Sequence, residues 1–240
     1  MDLTGKIALI TGASGGIGAH IATRLSSMGM HMVITGRNVE KLDKLKSEIE
    51  KSGTKVHKIV ADISDPHTPE LLIKETIRVF GKLDVLVNNA GYAILQSLEE
   101  TSVDDWNQSF AVNARAPFFL CQESIPYLRE SSCATIVNIS SVVGRLGYPN
   151  QAVYTSSKHA LMGFSKVLAK EVQPLGIRVH TIAPGGVDTD MVKTTRSDID
   201  VTQLIQPKEI ADIVEFLLKH RGNAIIDNIN VRRSNSTPFA

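Results

Sequence analysis

Tyr154 and Lys158 are spaced so that they could act together on a carbonyl or an alcohol. They lie four residues apart in the stretch YTSSK, and on a helix residues i and i+4 share one face. A lysine ammonium beside a phenol favours the phenolate and lowers the tyrosine pKa from its usual value near 10. A phenol tuned in this way can give a proton to a carbonyl oxygen or take one from an alcohol. Because this spacing is common by chance, the interpretation depends on the elements that would position the pair.

A nucleotide-phosphate site is predicted near the N-terminus. Lys6–Thr11 is a short apolar run typical of a buried strand, the segment TGASGGIG follows at 11–18, and a helical apolar pattern begins at Ile17. Strand, glycine-rich turn and helix form the context of a dinucleotide site, because glycines let the backbone approach a pyrophosphate and a helix N-terminus offers free N–H groups. The candidate contacts are Gly12, Ser14, Gly16, Ile17 and Gly18.

Strand and helix patterns alternate along the whole chain, which predicts a parallel sheet with helices on both faces. Candidate strands are Lys6–Thr11, His31–Thr35, Lys55–Val60, Val85–Asn88, Ala134–Ser140, Arg178–Ile182 and Ala224–Val231. Candidate helices are 17–28, 39–51, 68–80, 104–130, 152–173 and 207–220. Pro126 is expected to kink or divide the long helix 104–130.

Several motifs in order resemble the short-chain dehydrogenase/reductase family, in its single-domain branch. They are TGxxxGxG, NNAG at 88–91, Asn113, Ser141 thirteen residues before Tyr154, YxxxK, and PGGVDT at 184–189, and the resemblance runs from about Lys6 to about Val231. It implies an α/β fold, a Rossmann-type doubly wound parallel sheet of about seven strands. It also implies a single domain over 1–233, followed by a short tail over 234–240.

The resemblance implies a nicotinamide cofactor, and Arg37 favours NADP(H) over NAD(H). Gly36 stands where NAD-dependent relatives usually carry aspartate, and an arginine after the second strand accommodates the 2′-phosphate of NADP. Ser14 adds a possible donor to the same phosphate. Asp62 is expected to meet the adenine amino group, although it could equally cap a turn. Further cofactor contacts implied by the resemblance are Asn89, Ala90, Gly91, Tyr154, Lys158, Pro184, Gly185, Val187 and Thr189.

Roles in an oxidoreductase reaction follow from the same resemblance. Tyr154 is the general acid in reduction and the general base in oxidation. Lys158 lowers its pKa and holds the nicotinamide ribose hydroxyls, while Ser141 donates a hydrogen bond to the carbonyl oxygen as charge develops there. Asn113 is expected to hold a water that links Lys158 to solvent. Taken alone, Ser141 could be a turn serine and Asn113 a helix-kink amide.

The substrate is left open by the sequence. The segment Met191–Gln206, which the family resemblance implies to be a lid, is short and so predicts an open cleft. The candidate wall residues are Ile94, Val142, Tyr148 and Met191. The only candidates to bind a carboxylate are Arg145 and Arg196. A 3-oxoacyl-carrier-protein reductase, a hydroxy-acid (serine-like) dehydrogenase and a broad ketone reductase all fit. An alternative from another class of function is a catalytically silent NADP-binding regulator. No feature of the sequence supports a third possibility, a structural subunit of a larger complex.

Composition is that of an ordinary globular protein. The chain has 240 residues, 42% apolar and 21% charged, with a net charge of +1, so neither a nucleic-acid nor a membrane partner is indicated. The N-terminal MDLTGK lacks the apolar core of a signal peptide. Cys121 and Cys133 form no metal or redox motif, which favours reduced thiols in a cytoplasmic protein without a metal.

The family resemblance also implies a homodimer or homotetramer built on helices 104–130 and 152–173. The frequent family ending, an aspartate and paired glycines after the last strand, is absent here. The geometry of a tetramer therefore stays open.

Overall fold

The apolar runs of the sequence pair side by side as one parallel sheet in a computed structural model of the chain, which describes residues 1–195 and 200–238. The seven strands are β1 Ile7–Ile10, β2 His31–Gly36, β3 Val56–Val60, β4 Val85–Asn88, β5 Thr135–Ile139, β6 Arg178–Pro184 and β7 Asn228–Val231. They lie in the order β3-β2-β1-β4-β5-β6-β7, and all six neighbouring pairs are parallel. The strand order reverses between β1 and β4, which is where ligands bind in open α/β sheets.

Helices cover both faces of the sheet. They are α1 Gly16–Ser26, α2 Val39–Glu50, α3 Thr68–Phe80, α4 Val103–Phe110, α5 Ala116–Leu128, α6 Ala152–Val172, α7 Asp190–Thr195 and α8 Pro207–Lys219. One buried cluster joins the β1 side chains Ala8 and Ile10 to α1, α2 and α8, and the other joins Leu9 to α3, α5 and α6. The alternation of core faces along each strand explains why these strands are apolar throughout. The predicted fold class, a doubly wound Rossmann-type sheet in a single domain, is confirmed.

Buried amides tie the middle of the sheet to α6, the helix that carries Tyr154 and Lys158. Asn88 Nδ2 donates to Asn138 Oδ1 at 2.8 Å, and Asn138 Nδ2 donates to Ser165 Oγ at 2.8 Å. Both asparagines are buried, where an unpaired amide would be costly. These bonds fix α6 against the carboxyl ends of β4 and β5.

The prediction that Pro126 divides the helix 104–130 was wrong. The division falls at a single wide π-turn over Ala111–Arg115, and α5 runs past Pro126 to Leu128. Proline removes one helical hydrogen bond, the one that the carbonyl of Gln122 would accept. Gln122 is an exposed residue, so water can replace the lost donor there.

The last predicted strand is shorter than expected. Ala224–Val231 was predicted, whereas β7 begins at Asn228 and pairs with β6 from Thr181 to Pro184. Among the described residues, no helix is both long enough and apolar enough to span a bilayer.

Candidate active site

Two cavities meet at Tyr154, at the carboxyl edge of the sheet. The first, of about 390 Å³, is lined by the turns that follow β1, β2 and β4, and we call it the nucleotide cavity. The second, of about 1100 Å³, is lined by segments after β5, β6 and β7, and we call it the substrate cavity. Tyr154 and Met191 line both. A group on this tyrosine therefore faces both spaces at once.

The floor of the nucleotide cavity is two turns held against each other. Gly12 has φ +65°, and a Cβ there would lie 2.8 Å from Ala90 Cα, so only glycine fits. Asn89 Nδ2 donates to the carbonyls of Thr11 at 2.9 Å and Gly12 at 3.1 Å. The amide thus fixes the glycine-rich turn to the turn after β4, and Ala90 and Gly91 line the cavity beside it.

The start of α1 faces this cavity. Ser14, Gly16 and Ile17 line it, and no side chain caps the helix at Gly15, which leaves first-turn N–H groups available to an anion. Gly18 does not line the cavity. A Cβ at Gly18 would lie 2.5 Å from Asn89 Nδ2, so this glycine serves the packing of helix on strand rather than a direct contact.

Positive charge lies at the far end of the nucleotide cavity. The Arg37 side chain is 71% exposed, and its guanidinium lies 4.0 Å from the Asp62 carboxylate. A Cβ on Gly36 would lie 2.9 Å from Ser14 Oγ, so Gly36 and Ser14 are matched in size. Lys41, at the start of α2, also lines the cavity and was missed from the sequence; its place four residues after Arg37 could have shown it.

Asp62 has both functions that the sequence left open, a lining position and a turn cap. Its carboxylate accepts from the Ser64 backbone N–H at 2.9 Å and from the Ser64 hydroxyl at 2.8 Å. Partial burial favours the neutral acid, but these two hydrogen bonds and the Arg37 charge outweigh it and lower the pKa of Asp62. The carboxylate is therefore ionised at neutral pH and available to accept from an amino group.

Lys158 lies beneath the Tyr154 ring and is almost wholly buried. Its Nζ lies 5.9 Å from the centre of that ring and donates to the Ile139 carbonyl at 3.1 Å. Burial lowers the pKa of Lys158 to about 8. A cation of this kind near pH 7 is poised to lose its proton.

The expected lowering of the tyrosine pKa by Lys158 is not what this geometry gives. Burial raises the pKa of Tyr154 above its ordinary value, opposed only by a hydrogen bond from Ser141. The lysine ammonium bonds to a backbone carbonyl rather than to the phenol. The phenol consequently holds its proton at neutral pH, as a proton donor must.

Ser141 lines the substrate cavity beside Tyr154. It begins the short 3₁₀ turn Val142–Gly144, and its Oγ accepts from the Val143 N–H at 3.3 Å. Ser141 therefore has two roles: it begins the turn, and it lies beside the Tyr154 phenol.

Asn113 lies in the π-turn and lines neither cavity. Its Oδ1 accepts from the Tyr92 N–H at 2.9 Å, and its Nδ2 donates to the Tyr92 carbonyl at 2.7 Å and to Ser157 Oγ at 2.9 Å. Ser109 Oγ completes this buried group, and neither serine was singled out from the sequence. The π-turn directs the amide at the segment after β4, next to Lys158.

The loop after β6 divides its residues between the two cavities. Thr189 lines the nucleotide cavity and Gly185 the substrate cavity. Pro184 pairs with Val231 and Val187 bridges to Ile205, and both are buried away from the linings. These two shape the loop, so their predicted cofactor contacts could be made only by backbone atoms.

The walls of the substrate cavity were only partly predicted. Val142, Tyr148, Met191 and Arg145 line it as expected. Ile94 does not, because its neighbours Ala93 and Leu95 turn inward instead, and Arg196 falls outside the described residues. The sequence gave no signal for the C-terminal contributors, which are Asn228, Ile229, Asn230, Arg232, Arg233, Ser236, Thr237 and Pro238.

The two cysteines lie in the core, away from both cavities. Both are buried and free, and burial raises the pKa of Cys121 to about 12, so this thiol is not a nucleophile at neutral pH. The described residues hold no group of three metal-ligating side chains close enough for an ion.

The model of the family described as short chain dehydrogenase matches residues 6–200. The chain belongs to the short-chain dehydrogenase/reductase family. It is accordingly an oxidoreductase of that family, and the resemblance found in the sequence motifs is confirmed.

Related proteins match along almost the whole chain. The chain is 34% identical over 234 residues to a 3beta-hydroxysteroid dehydrogenase of Mediterraneibacter gnavus, covering 97% of this chain and 84% of that protein. It is 32% identical over 237 residues to a 3-oxoacyl-acyl-carrier-protein reductase of Thermotoga maritima, covering 95% and 96%. A short chain dehydrogenase from Burkholderia cenocepacia, solved in complex with NADP, superposes with a TM-score of 0.87 at 32% identity, covering 97% and 98%.

Proposed function

We propose that this chain is an NADP(H)-dependent oxidoreductase that transfers a hydride between the nicotinamide and a carbonyl or secondary alcohol, with Tyr154 as general acid and base. The observation that carries this proposal is the position of Tyr154 at the junction of the two cavities. A hydride donor on one side and a carbonyl on the other would both meet the phenol there.

The residues of the nucleotide cavity fit a dinucleotide. The close approach of Gly12 to Ala90 leaves backbone rather than side chains along the floor, and the uncapped start of α1 suits a pyrophosphate. Asp62 and Arg37 would hold the adenosine end, and Thr189 and Lys158 the nicotinamide end. When bound, the nicotinamide supplies or accepts the hydride.

The proton is handled by the chain's own residues. In reduction, the Tyr154 hydroxyl gives its proton to the substrate oxygen, and its raised pKa keeps that proton in place until the oxygen becomes basic. The Ser141 hydroxyl, beside Tyr154 in the same cavity, donates a hydrogen bond to the oxygen as negative charge develops. The phenolate that remains after the transfer would be stabilised by the hydrogen bond from Ser141, and only at a distance by the Lys158 ammonium, which lies 5.9 Å from the ring centre. Oxidation runs the same transfers in reverse.

Arg37 supports the choice of NADP(H) over NAD(H). Its guanidinium is only loosely paired, at 4.0 Å from Asp62, whereas Lys41 in the same cavity is paired with Asp190 at 2.8 Å. An aspartate at position 36 would need Ser14 to move. The related Burkholderia enzyme was solved with NADP.

The substrate is proposed at the level of a carbonyl or secondary alcohol. A 3-oxoacyl-carrier-protein reductase or a hydroxy-acid (serine-like) dehydrogenase would use the same chemistry, and the Thermotoga relative bears the first of these names. A catalytically silent NADP-binding regulator is less well supported, because Ser141, Tyr154 and Lys158 converge and Asn113 is firmly held beside them.

We further propose a cytoplasmic homodimer or homotetramer. Phe118 and Phe119 on α5 and Val167 on α6 are exposed, and the Phe118 ring packs tilted against Phe164 with ring centres 4.8 Å apart. Exposed apolar side chains on adjacent helices suit a symmetric contact. Light scattering at micromolar concentration should show a dimer or tetramer, and a monomer alone would contradict this.

A substrate screen tests the proposed function. Ketones, acyl thioesters and hydroxy acids are offered with NADPH or NADP⁺, and turnover is followed by nicotinamide absorbance, with the Tyr154→Phe variant as the blank. We expect at least one carbonyl compound to be reduced by the wild type only. Binding of NADPH without turnover on any class would favour the silent regulator.

A further inference from the structure

We propose that Arg145 and Arg233 form an anion subsite in the substrate cavity, which selects carbonyl substrates that carry a distant carboxylate or phosphate group. This inference rests on the proposed function and names the substrate class of the same site. It starts from the segment Arg232–Pro238, which the sequence alone suggested to be mostly a tail.

That segment is held in place as a wall of the cavity. The Gly185 N–H donates to the Val231 carbonyl at 2.7 Å, so the chain leaves β7 directly against the loop after β6. The Arg232 guanidinium then donates to the carbonyls of Arg233 at 3.1 Å and Ser236 at 2.9 Å. The Asn235 amide also donates to the Gln203 side chain. Arg232 is thus used to fold the segment back over the cavity.

The charged side chains that line the substrate cavity within the described residues are all positive. Three arginines line it, Arg145, Arg232 and Arg233, and no aspartate or glutamate does so within the described part of the chain. The net charge of the whole protein is only +1, so this is a local concentration and not a general property of the surface.

Two of these arginines have no partner within residues 1–195 and 200–238. Among the described residues, neither Arg145 nor Arg233 has a carboxylate within ion-pair distance or donates a side-chain hydrogen bond, in contrast to Arg232. Arg233 is moreover partly buried, whereas Arg145 is exposed. A guanidinium that has lost part of its water without gaining a partner binds a carboxylate or phosphate strongly, because its fork of N–H groups matches two oxygens.

The substrate cavity has room for a molecule that reaches both Tyr154 and the two arginines. At about 1100 Å³ it exceeds what a small keto acid needs, and Tyr154 shares it with both arginines. A molecule longer than a small keto acid would therefore fit with its carbonyl at Tyr154 and its anion at the arginines.

The test compares charged and neutral forms of one ketone. Sodium 4-oxopentanoate, 6-oxoheptanoate and 8-oxononanoate are each assayed with NADPH beside the matching carboxamide and the matching terminal phosphonate. A charge-assisted contact of about 1.5 kcal/mol or more corresponds to roughly tenfold. We expect kcat/KM for one anionic form to exceed that of the amide by about this factor, and the preferred anion identifies the group.

Variants assign the effect to the two arginines. Arg233→Gln and Arg145→Gln should raise KM for the anionic ketone about tenfold, with kcat and the amide unchanged. Arg233→Lys should restore part of the preference. Arg232→Gln should loosen the wall and affect anion and amide alike, and Arg129→Gln, an exposed site at the end of α5, should change neither.

Equal kcat/KM for anion and amide at every chain length in the wild type would overturn the proposal, as would equal losses for both in Arg233→Gln and Arg145→Gln. Should no ketone be reduced at all, the proposed function fails, and calorimetry then tests the subsite separately. Hexanoate and hexanamide are titrated into the protein with NADP⁺. Binding of hexanoate that Arg233→Gln abolishes supports the subsite, and equal binding of both probes refutes it.

Discussion

The nucleotide cavity takes much of its lining from the turns that directly follow β1, β2, β3 and β4, whereas the substrate cavity is lined by segments after β4, β5 and β6 and by a C-terminal segment that runs from β7 to Pro238. In the first, contacts between strand ends fix the backbone, as in the bonds of Asn89 to Thr11 and Gly12. In the second, a few side-chain bonds, such as those of Arg232, hold a segment in place. The sheet therefore dictates where the nucleotide lies, and the loops decide what else is bound.

Tyr154 joins the two cavities, and its removal should have the largest effect. Tyr154→Phe keeps the ring and removes the proton donor, so turnover should fall by roughly two to four orders of magnitude, the range for a positioned acid–base group. NADPH affinity should change little. Steady-state kinetics and a fluorescence titration measure the two quantities.

Tyr127→Phe is the matched control, since Tyr127 lines neither cavity and is exposed. It should keep normal kcat. If Tyr154→Phe turned over at a near-normal rate, proton transfer would have to be assigned to another group.

A change confined to the nucleotide cavity should reverse cofactor preference. The wild type should bind NADPH at least about tenfold more tightly than NADH, or about 1.4 kcal/mol. Gly36→Asp with Arg37→Ala and Ser14→Gly removes the cation, adds a carboxylate for the ribose hydroxyl and makes room for it, because a Cβ at Gly36 meets Ser14. The preference should then favour NADH about tenfold, as dissociation constants for both cofactors would show.

The same design without Ser14→Gly is its control. That double variant should be less stable than the triple one, because Ser14 Oγ would lie 2.9 Å from the new Cβ. Equal binding of NADH and NADPH by the wild type would mean that Arg37 is only a surface charge.

Lys158 should lower the free energy of unfolding even though the proposed reaction needs it. The pKa of Lys158 is near 8 in the folded state and about 10.4 in the unfolded chain. Below about pH 8 the folded state therefore carries the full free-energy cost of a buried charge. This cost is relieved as pH rises from about 8 to 10.4, since the unfolded chain then binds more protons. Lys158→Met should raise the free energy of unfolding at pH 7 by about 1–3 kcal/mol, less than the full shift because the bond to Ile139 is lost.

Thermal unfolding of cofactor-free protein measures this gain. Lys166→Met, at an exposed site on the same helix, should change stability by less than about 0.5 kcal/mol. A destabilised Lys158→Met protein would show that the lysine holds the site together rather than straining it.

The smallest effect expected is in the pH profile. Because Lys158 is charged only below about pH 8, kcat/KM for reduction should be level below that value and then fall, by at most about tenfold per pH unit. Tyr154 should add no break in this range, since burial raises its pKa. A level profile to pH 10 would remove the lysine charge from the mechanism.

The contrast between the cavities also explains what the sequence could predict. Gly12, Asn89 and Arg37 follow strands directly, and a strand end has one place in a parallel sheet, so a local pattern was enough. The prediction that Ile94 lines the substrate cavity was wrong, because an irregular segment has no fixed period of side-chain directions. Its neighbours Ala93 and Leu95 line the cavity instead. Asn113 was found by its type, but its partners Ser109 and Ser157 come from two different helices and depend on packing.

The tyrosine pKa and the C-terminal wall could not have been predicted in the same way. The pKa depends on how far burial outweighs the hydrogen bond from Ser141, which requires coordinates. Arg232–Pro238 has no helical or strand pattern, and its position follows from its hydrogen bonds to its own carbonyls and to Gln203.

The order in which the two sets of lining residues occur along the chain has a consequence during synthesis. Every residue that lines the nucleotide cavity lies at or before Met191, whereas the substrate cavity needs residues up to Pro238. At about 5–20 residues per second, the ribosome takes several seconds to add this remainder. A growing chain thus contains all the residues that line the nucleotide cavity before those that complete the substrate cavity. At that point α8, which packs in the same core cluster as α1, is still missing, so we expect neither cavity to form until α8 has been made.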